Sequence, residues 1–343
     1  MLLGNNNIVS NQTLRRRLYD DITAGTLAHS YIIEGRYGSG RHTIAKNIIA
    51  ALACTGEKNE LPCGECKNCR DVFEEKCPDV MTIGRDGKAS LGVESIRNLK
   101  STLLAVPNNL EIKAYILEDA DTMTVQAQNA FLLTLEEPPK NVYFFLLCEN
   151  SRSLLETIRS RAAILRTDKV SSELIKEYIC SKKVPKSVSD AAKAIKNNDP
   201  QELDTILLSA DGSIGRAMEL LSPKARAPII ALRNVAEKFI TSVKSSSKSA
   251  HPLMLLPLFS QKRDELSNQL EYIKGALRDL IVLKKCETAP LCFFTDREKA
   301  FEISDLFSER LLLSIFNRVN DASDAILRNA NVRLTLIDML SRL

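Results

Sequence analysis

Cys54, Cys63, Cys66 and Cys69 stand at spacings of x8, x2 and x2. Thiolates two residues apart can converge on one tetrahedral zinc, each about 2.3 Å from the ion. Four sulfurs close the coordination shell, so the chemistry expected here is structural. The alternative is four unconnected cysteines on a loop. Cys77, next to Pro78, is the spare. Free energy from zinc binding reaches about 10–16 kcal/mol in small modules, enough to hold a polar insertion with little core of its own.

A second constellation lies just upstream. Tyr31-Ile32-Ile33 runs into Gly35-Arg36-Tyr37-Gly38-Ser39-Gly40-Arg41-His42-Thr43, and a helical pattern from Ile44 to Leu52 follows. A buried strand, a glycine loop and a helix N-terminus are the layout of a P-loop. There, inward-turned N–H groups and the positive end of the helix attract phosphate. Gly35 and Gly40 fit the Gly-x4-Gly spacing. Arg41 stands at the lysine position and His42 at the position of the magnesium-binding hydroxyl. Arginine is a broad planar fork where lysine is a slim point charge. Imidazole is a poor ligand for magnesium, which takes hard oxygens. Thr43 carries a hydroxyl one residue late, about 100° round the helix. The loop reads as a nucleotide pocket that has become weak or idle, or as a glycine-rich turn with no ligand.

Glu118 and Asp119 close the apolar run Ala114–Leu117. In a parallel sheet that end is where ligands bind. In a P-loop ATPase the first such acid orders magnesium and the second activates water. Asp119 is shorter than the usual glutamate. The alternative is a strand leaving the core through a polar turn.

The elements that must position these groups follow from periodicity. Asn11–Ala24, Val93–Leu103 and Val125–Leu135 have helical spacing, and Asp79–Ile83, Val142–Leu147 and Ala163–Leu165 are apolar strand runs. Strands alternating with helices predict an α/β domain with a parallel sheet. From Ser171 onward the pattern is helical. Leu277, Leu280, Ile281 and Leu283 form one apolar stripe, and Leu311, Leu312, Ile315 and Val319 another. Lys244–Ser249 is low in complexity and reads as a loop.

At 343 residues the chain has room for two or three domains. With 44% hydrophobic and 26% charged residues it has a globular composition. A net charge of +4 is compatible with a nucleic-acid surface but too small to demand one. No apolar run approaches a membrane span and no signal-peptide pattern opens the chain, so a cytoplasmic protein without membrane contact is expected. Clustered cysteines then point to metal rather than disulfides.

Several segments together resemble bacterial clamp-loader subunits, ATPases of the AAA+ class. They are Gly35–Thr43, Leu117–Met123, Leu135-Glu136-Glu137-Pro138-Pro139 and Thr157-Ile158-Arg159-Ser160-Arg161, with the cysteine insertion after the first P-loop helix. Gly212–Ala217 resembles the family's second-domain sensor, which makes Arg216 a nucleotide-site candidate. Arg278-Asp279-Leu280 and Asn329-Ala330-Asn331 resemble its last domain. Ala162 departs from the family's Ser-Arg-Cys and Cys77 from its His-Pro-Asp.

The resemblance implies a P-loop AAA+ domain over 1–167 with a zinc module at 54–69, a helical lid over 168–222 and a helical collar over 223–343. It implies structural Zn2+, with ATP and Mg2+ an open question at a site made of Gly35, Gly38, Gly40, Arg41, Thr43, Glu118, Asp119 and Arg216. Arg161 is the candidate for an arginine supplied to a neighbour's ATP, with a surface salt bridge as its alternative. Implied partners are motor gamma/tau and delta subunits, the sliding clamp, and primed DNA through the assembly. Arg41-His42 and Glu118-Asp119, with an end at Leu343 lacking a Pro-rich extension, favour a non-motor subunit over an active ATPase motor. A zinc-dependent nucleic-acid module outside any ring is the third reading. Glu57, Glu60, Glu65, Glu74 and Glu75, with only Phe73 to stack, oppose it.

Overall fold

The computed structural model describes residues 8–9, 11–56, 61–85, 87, 90–181, 183–249, 252–328 and 330–343, with backbone alone at 244–249, 252 and 327. Glu57, Glu60 and Asn329 lie outside the described residues. Two compact units emerge, Met1–Tyr178 with Gly212–Arg216, and Ile179–Asp211 with Ala217–Leu343.

The first unit is built on a parallel sheet of β1 (Ser30–Glu34), β2 (Val80–Ile83), β3 (Lys113–Leu117), β4 (Val142–Cys148) and β5 (Ala163–Arg166), in the order β2-β3-β4-β1-β5. β3 is buried along its whole length, and β4 at all but Tyr143, as strands covered on both faces must be. Side chains alternate across the sheet. Ile33, Ile116 and Phe145 join a core with Ile44 and Ile48 of α2 (Arg41–Ala53), after α1 (Gln12–Ala24). Ile32, Leu117 and Phe144 face the other way. They join Ile96 and Leu99 of α4 (Val93–Thr102) and Phe131 of α5 (Val125–Glu136). Between these helices comes the short α3 (Lys67–Phe73), and after them α6 (Glu156–Arg159) and α7 (Ser172–Ile179).

Register decides what the sheet can present. Ile32 lies opposite Leu146, and Leu146 opposite Leu117. The glycine loop after β1 and the acids after β3 therefore leave the same edge, with β4 between them.

Among the described residues the second unit is helical: α8 (Lys186–Asn198), α9 (Pro200–Ala210), α10 (Ile214–Leu220, which begins in the first unit), α11 (Pro223–Ser249), α12 (Arg263–Leu283), α13 (Arg297–Asp305), α14 (Glu309–Leu327) and α15 (Val332–Ser341). Its largest core gathers Phe239, Leu270, Leu277, Leu280, Leu312, Ile315, Val319 and Leu336.

Two expectations fail here. Lys244–Ser249 continues helix α11 and is not a loop, because serine and lysine are tolerated in a helix already propagating. Leu311 is 42% exposed. The buried stripe of α14 runs Leu312, Ile315, Val319, Ala322 and Ile326, and Leu311 sits about 100° away from it.

Candidate functional site

The glycine loop has the backbone that its glycines allow. Gly38 and Gly40 take positive φ of 73° and 88°, a region costly for other residues. Gly35 serves a different need. A Cβ there would lie 2.0 Å from Thr167 Oγ1 and 2.6 Å from Ser39 Oγ, and those two hydroxyls bond each other at 3.1 Å. The outer bend of the loop is docked on residues 213–216. Gly215 N donates to Gly38 O at 2.9 Å and Ser213 Oγ to Tyr37 O at 2.9 Å. Gly38 and Gly215 meet face to face, since a Cβ on Gly215 would sit 2.8 Å from Gly38 Cα. Arg216 enters through its backbone, 2.7 Å from where a Gly38 Cβ would be.

The side chains are another matter. Arg41 and His42 begin α2. Arg41 Nη1 and His42 Nε2 are buried, with no hydrogen-bond partner among the described residues. Such orphaned atoms cost about 1–3 kcal/mol each. Burial pushes the His42 pKa down, Lys46 adds to that, and Glu118 opposes it. The ring is therefore neutral near pH 7, and its Nδ1 at 3.9 Å from Glu118 Oε1 makes neither a hydrogen bond nor an ion pair there. Thr43 O accepts from Asn47 Nδ2 at 2.7 Å. Asp119 takes a left-handed conformation just past β3 and pairs with Arg85 at 2.9 Å.

Arg161 forms a separate set. Its Nη2 lies 2.7 Å from Glu136 Oε1, at the end of α5. Its Nη1 donates to Thr157 O at 3.0 Å and to Ser160 Oγ at 3.3 Å. The salt bridge that was its alternative reading is thus present, made within the chain. It leaves the side chain 36% exposed.

The four cysteines converge. Their Sγ atoms all lie within 4.8 Å of one another, with Cys63 and Cys69 at 4.0 Å. A tetrahedral ion with sulfurs at about 2.3 Å needs them about 3.8 Å apart, so the donor set fits such an ion after a small contraction. Backbone N–H groups already point at the sulfurs: Gly56 and Cys63 at Cys54, Cys66 at Cys63, and Cys69 at Cys66, at 3.4–3.5 Å. At Cys66 burial pushes the thiol pKa up, but the N–H of Cys69 and contacts from Thr55 outweigh it and bring the thiol to about 6. At Cys69 burial dominates and raises the thiol. The module grips α2, where Asn68 Nδ2 donates to Ala53 O at 2.8 Å and Cys69 Sγ to Ala50 O at 3.6 Å. Cys77 is buried in the sheet core, outside the cluster.

Sequence reasoning missed Asp79. It is 1% exposed, and its carboxylate accepts the N–H groups of Asn108, Asn109 and Leu110 at 2.6, 2.6 and 2.9 Å. An acid directly before a strand was the available signal.

A glycine loop after β1 and acids after β3, at one edge of a five-stranded parallel sheet, define a P-loop domain of the AAA+ class. Residues 10–171 match the family model described as DNA polymerase III, delta subunit. The chain is similar to clamp-loader subunits of DNA polymerase III. It is 26% identical over 325 residues to DNA polymerase III subunit delta' of Haemophilus influenzae, covering 92% of this chain and 90% of that one. It is 35% identical over 147 residues to the delta' subunit of Yersinia pestis, 43% of each chain. With the gamma subunit of Buchnera aphidicola subsp. Schizaphis graminum it shares 27% identity over 248 residues, 72% of this chain and 65% of the relative. The chain thus spans just under two thirds of that gamma relative.

Proposed function

We propose that this chain is the delta-prime subunit of a clamp loader. It hydrolyses ATP negligibly itself and supplies Arg161 to the ATP of a neighbouring motor subunit. The observation that carries this is the state of the glycine loop. The loop backbone is intact, while its two catalytic positions hold a half-buried arginine and a half-buried neutral imidazole, and the second acid is bound to Arg85. Imidazole at the hydroxyl position does not suit magnesium, and a carboxylate paired with arginine is a weakened base for water. Phosphoryl transfer depends on positioning, so these misplacements multiply. The orphaned Arg41 Nη1 still favours an anion, so weak nucleotide binding at Gly35, Gly38, Gly40, Arg41 and Thr43 belongs to the reading, with Glu118, Asp119 and Arg216 at its margin.

The rest of the assignment follows the family. The domains are 1–167, 168–222 and 223–343, the last a collar that joins gamma/tau and delta subunits into a ring. The ring places the sliding clamp on primed DNA in the cytoplasm. The ion at Cys54, Cys63, Cys66 and Cys69 is structural Zn2+, because four thiolates leave no open position for catalysis.

The test is the reconstituted loader carrying Arg161→Ala. Assembly should survive, and hydrolysis at the site facing this chain should fall about 10³-fold, the lower range for an arginine supplied in trans. Arg161→Lys should restore it only in part, because the planar fork is lost. Wild-type hydrolysis by the Arg161→Ala assembly would refute the trans role.

A further inference from the structure

A long exposed side chain that must enter a neighbour's site carries rotamer entropy of about 2 kcal/mol. Arg161 is not left to pay it. Of its five N–H groups, Glu136 engages one on Nη2, while Thr157 O and Ser160 Oγ engage the two on Nη1. Those partners come from two directions. Thr157 and Ser160 lie at α6 and its C-terminus, while Glu136 ends α5, 25 residues earlier in the chain. Contact from both sides fixes the guanidinium plane, and a carboxylate–guanidinium bond at 2.7 Å is of the strong, charge-assisted kind. The Nε–H and one Nη2–H remain for oxygens of another molecule. The Glu136 carboxylate has no hydrogen bond or ion pair among the described residues other than this one.

We infer that Glu136 is the positioning residue of Arg161. It holds the guanidinium pre-oriented for the phosphate oxygens of a nucleotide on the neighbouring subunit. This rests on the trans role proposed above, and the experiment distinguishes its failure from the failure of that role. Glu136 touches no reacting atom. It acts by removing the cost of ordering Arg161 when the transition state forms, and preorganisation of that kind appears in the rate and not in nucleotide affinity.

The experiment is single-turnover ATP hydrolysis by the reconstituted clamp loader, with Arg161→Ala identifying the phase that depends on this chain. Glu136→Ala should slow that phase about 10-fold while ATP affinity stays within about twofold. Glu136→Gln keeps an acceptor without the charge and should slow it about threefold. The double variant Glu136→Ala/Arg161→Ala should match Arg161→Ala alone, since positioning has no meaning without the group positioned. Wild-type rates for Glu136→Ala, with the phase still lost in Arg161→Ala, would overturn the inference and leave the trans role standing. A double variant slower than Arg161→Ala would overturn it too, because Glu136 would then act by another route. An unchanged phase in Arg161→Ala would remove the proposed function, and the inference with it.

Discussion

The cysteine module and the glycine loop sit at opposite ends of helix α2, and they present opposite cases. At the C-terminal end four thiols from separate turns converge within 4.8 Å, with backbone N–H groups aimed at them. Every part of a four-sulfur site is present. At the N-terminal end the loop has its glycine conformations, but Arg41 and His42 carry buried atoms without partners among the described residues. Contacts from outside the loop hold its backbone shape independently of what its side chains do. Here Ser213 and Gly215 bind the loop from outside, and Thr167 and Ser39 fill it beside Gly35.

Metal removal separates the two ends most strongly. Elemental analysis should find about one zinc per chain, as four-sulfur closure requires. Stripping it, or Cys66→Ser, should unfold the module and loosen the C-terminal end of α2, with a loss of several kcal/mol in a denaturant titration. Cys77→Ser should keep the zinc. A protein that is metal-free yet folded when made with zinc available would break the comparison at this end.

Two glycines sharpen it at the other end. Gly38→Ala brings a Cβ within 2.7 Å of the Arg216 backbone at a positive φ, and should cost about 2–4 kcal/mol in thermal or chemical unfolding. Gly40→Ala has a positive φ but nothing within 4 Å, so only the strain of about 1–2 kcal/mol remains. Equal losses would mean that docking on residues 213–216 does not hold the loop.

A further test concerns Asp79. Burial pushes its carboxyl upward, but three backbone N–H groups outweigh that and hold it below the usual carboxylate range. Its folded-state pKa lies below its unfolded one, so its stabilisation is complete above about pH 4 and is lost as pH falls through the folded value. Asp79→Asn should cost about 1–3 kcal/mol at pH 7 and flatten the acid limb of a stability–pH curve. An unchanged acid limb would show that the carboxylate is not the group holding Asn108–Leu110.

Local pattern and long-range pairing differed in how far the sequence could be read. The strands, the helix after the loop and the cysteine cluster were legible, because apolar period and Cys-x2-Cys spacing are local signals. The sheet edge shared by Gly35 and Glu118 was legible as well, from strands that end in a glycine turn and in acids. The contact of Gly38 with Gly215 was not, although the Gly212–Ala217 run was visible, since nothing local says which two glycines will meet 177 positions apart. The Arg85–Asp119 and Glu136–Arg161 pairs were hidden for the same reason. Lys244–Ser249 misled because a composition common in loops can extend a helix already formed. Leu311 misled because two adjacent leucines cannot share one helix face.

The central claim is that this glycine loop keeps a phosphate-binding shape without hydrolytic chemistry. Single-turnover ATP hydrolysis by the purified wild-type chain, free of partners, tests it most directly. The account predicts negligible turnover even where a nucleotide binds weakly, and Arg41→Lys with His42→Thr should strengthen binding before it restores any rate. Turnover by the wild-type chain comparable to that of a motor subunit with an intact loop would contradict it and assign this chain the motor role.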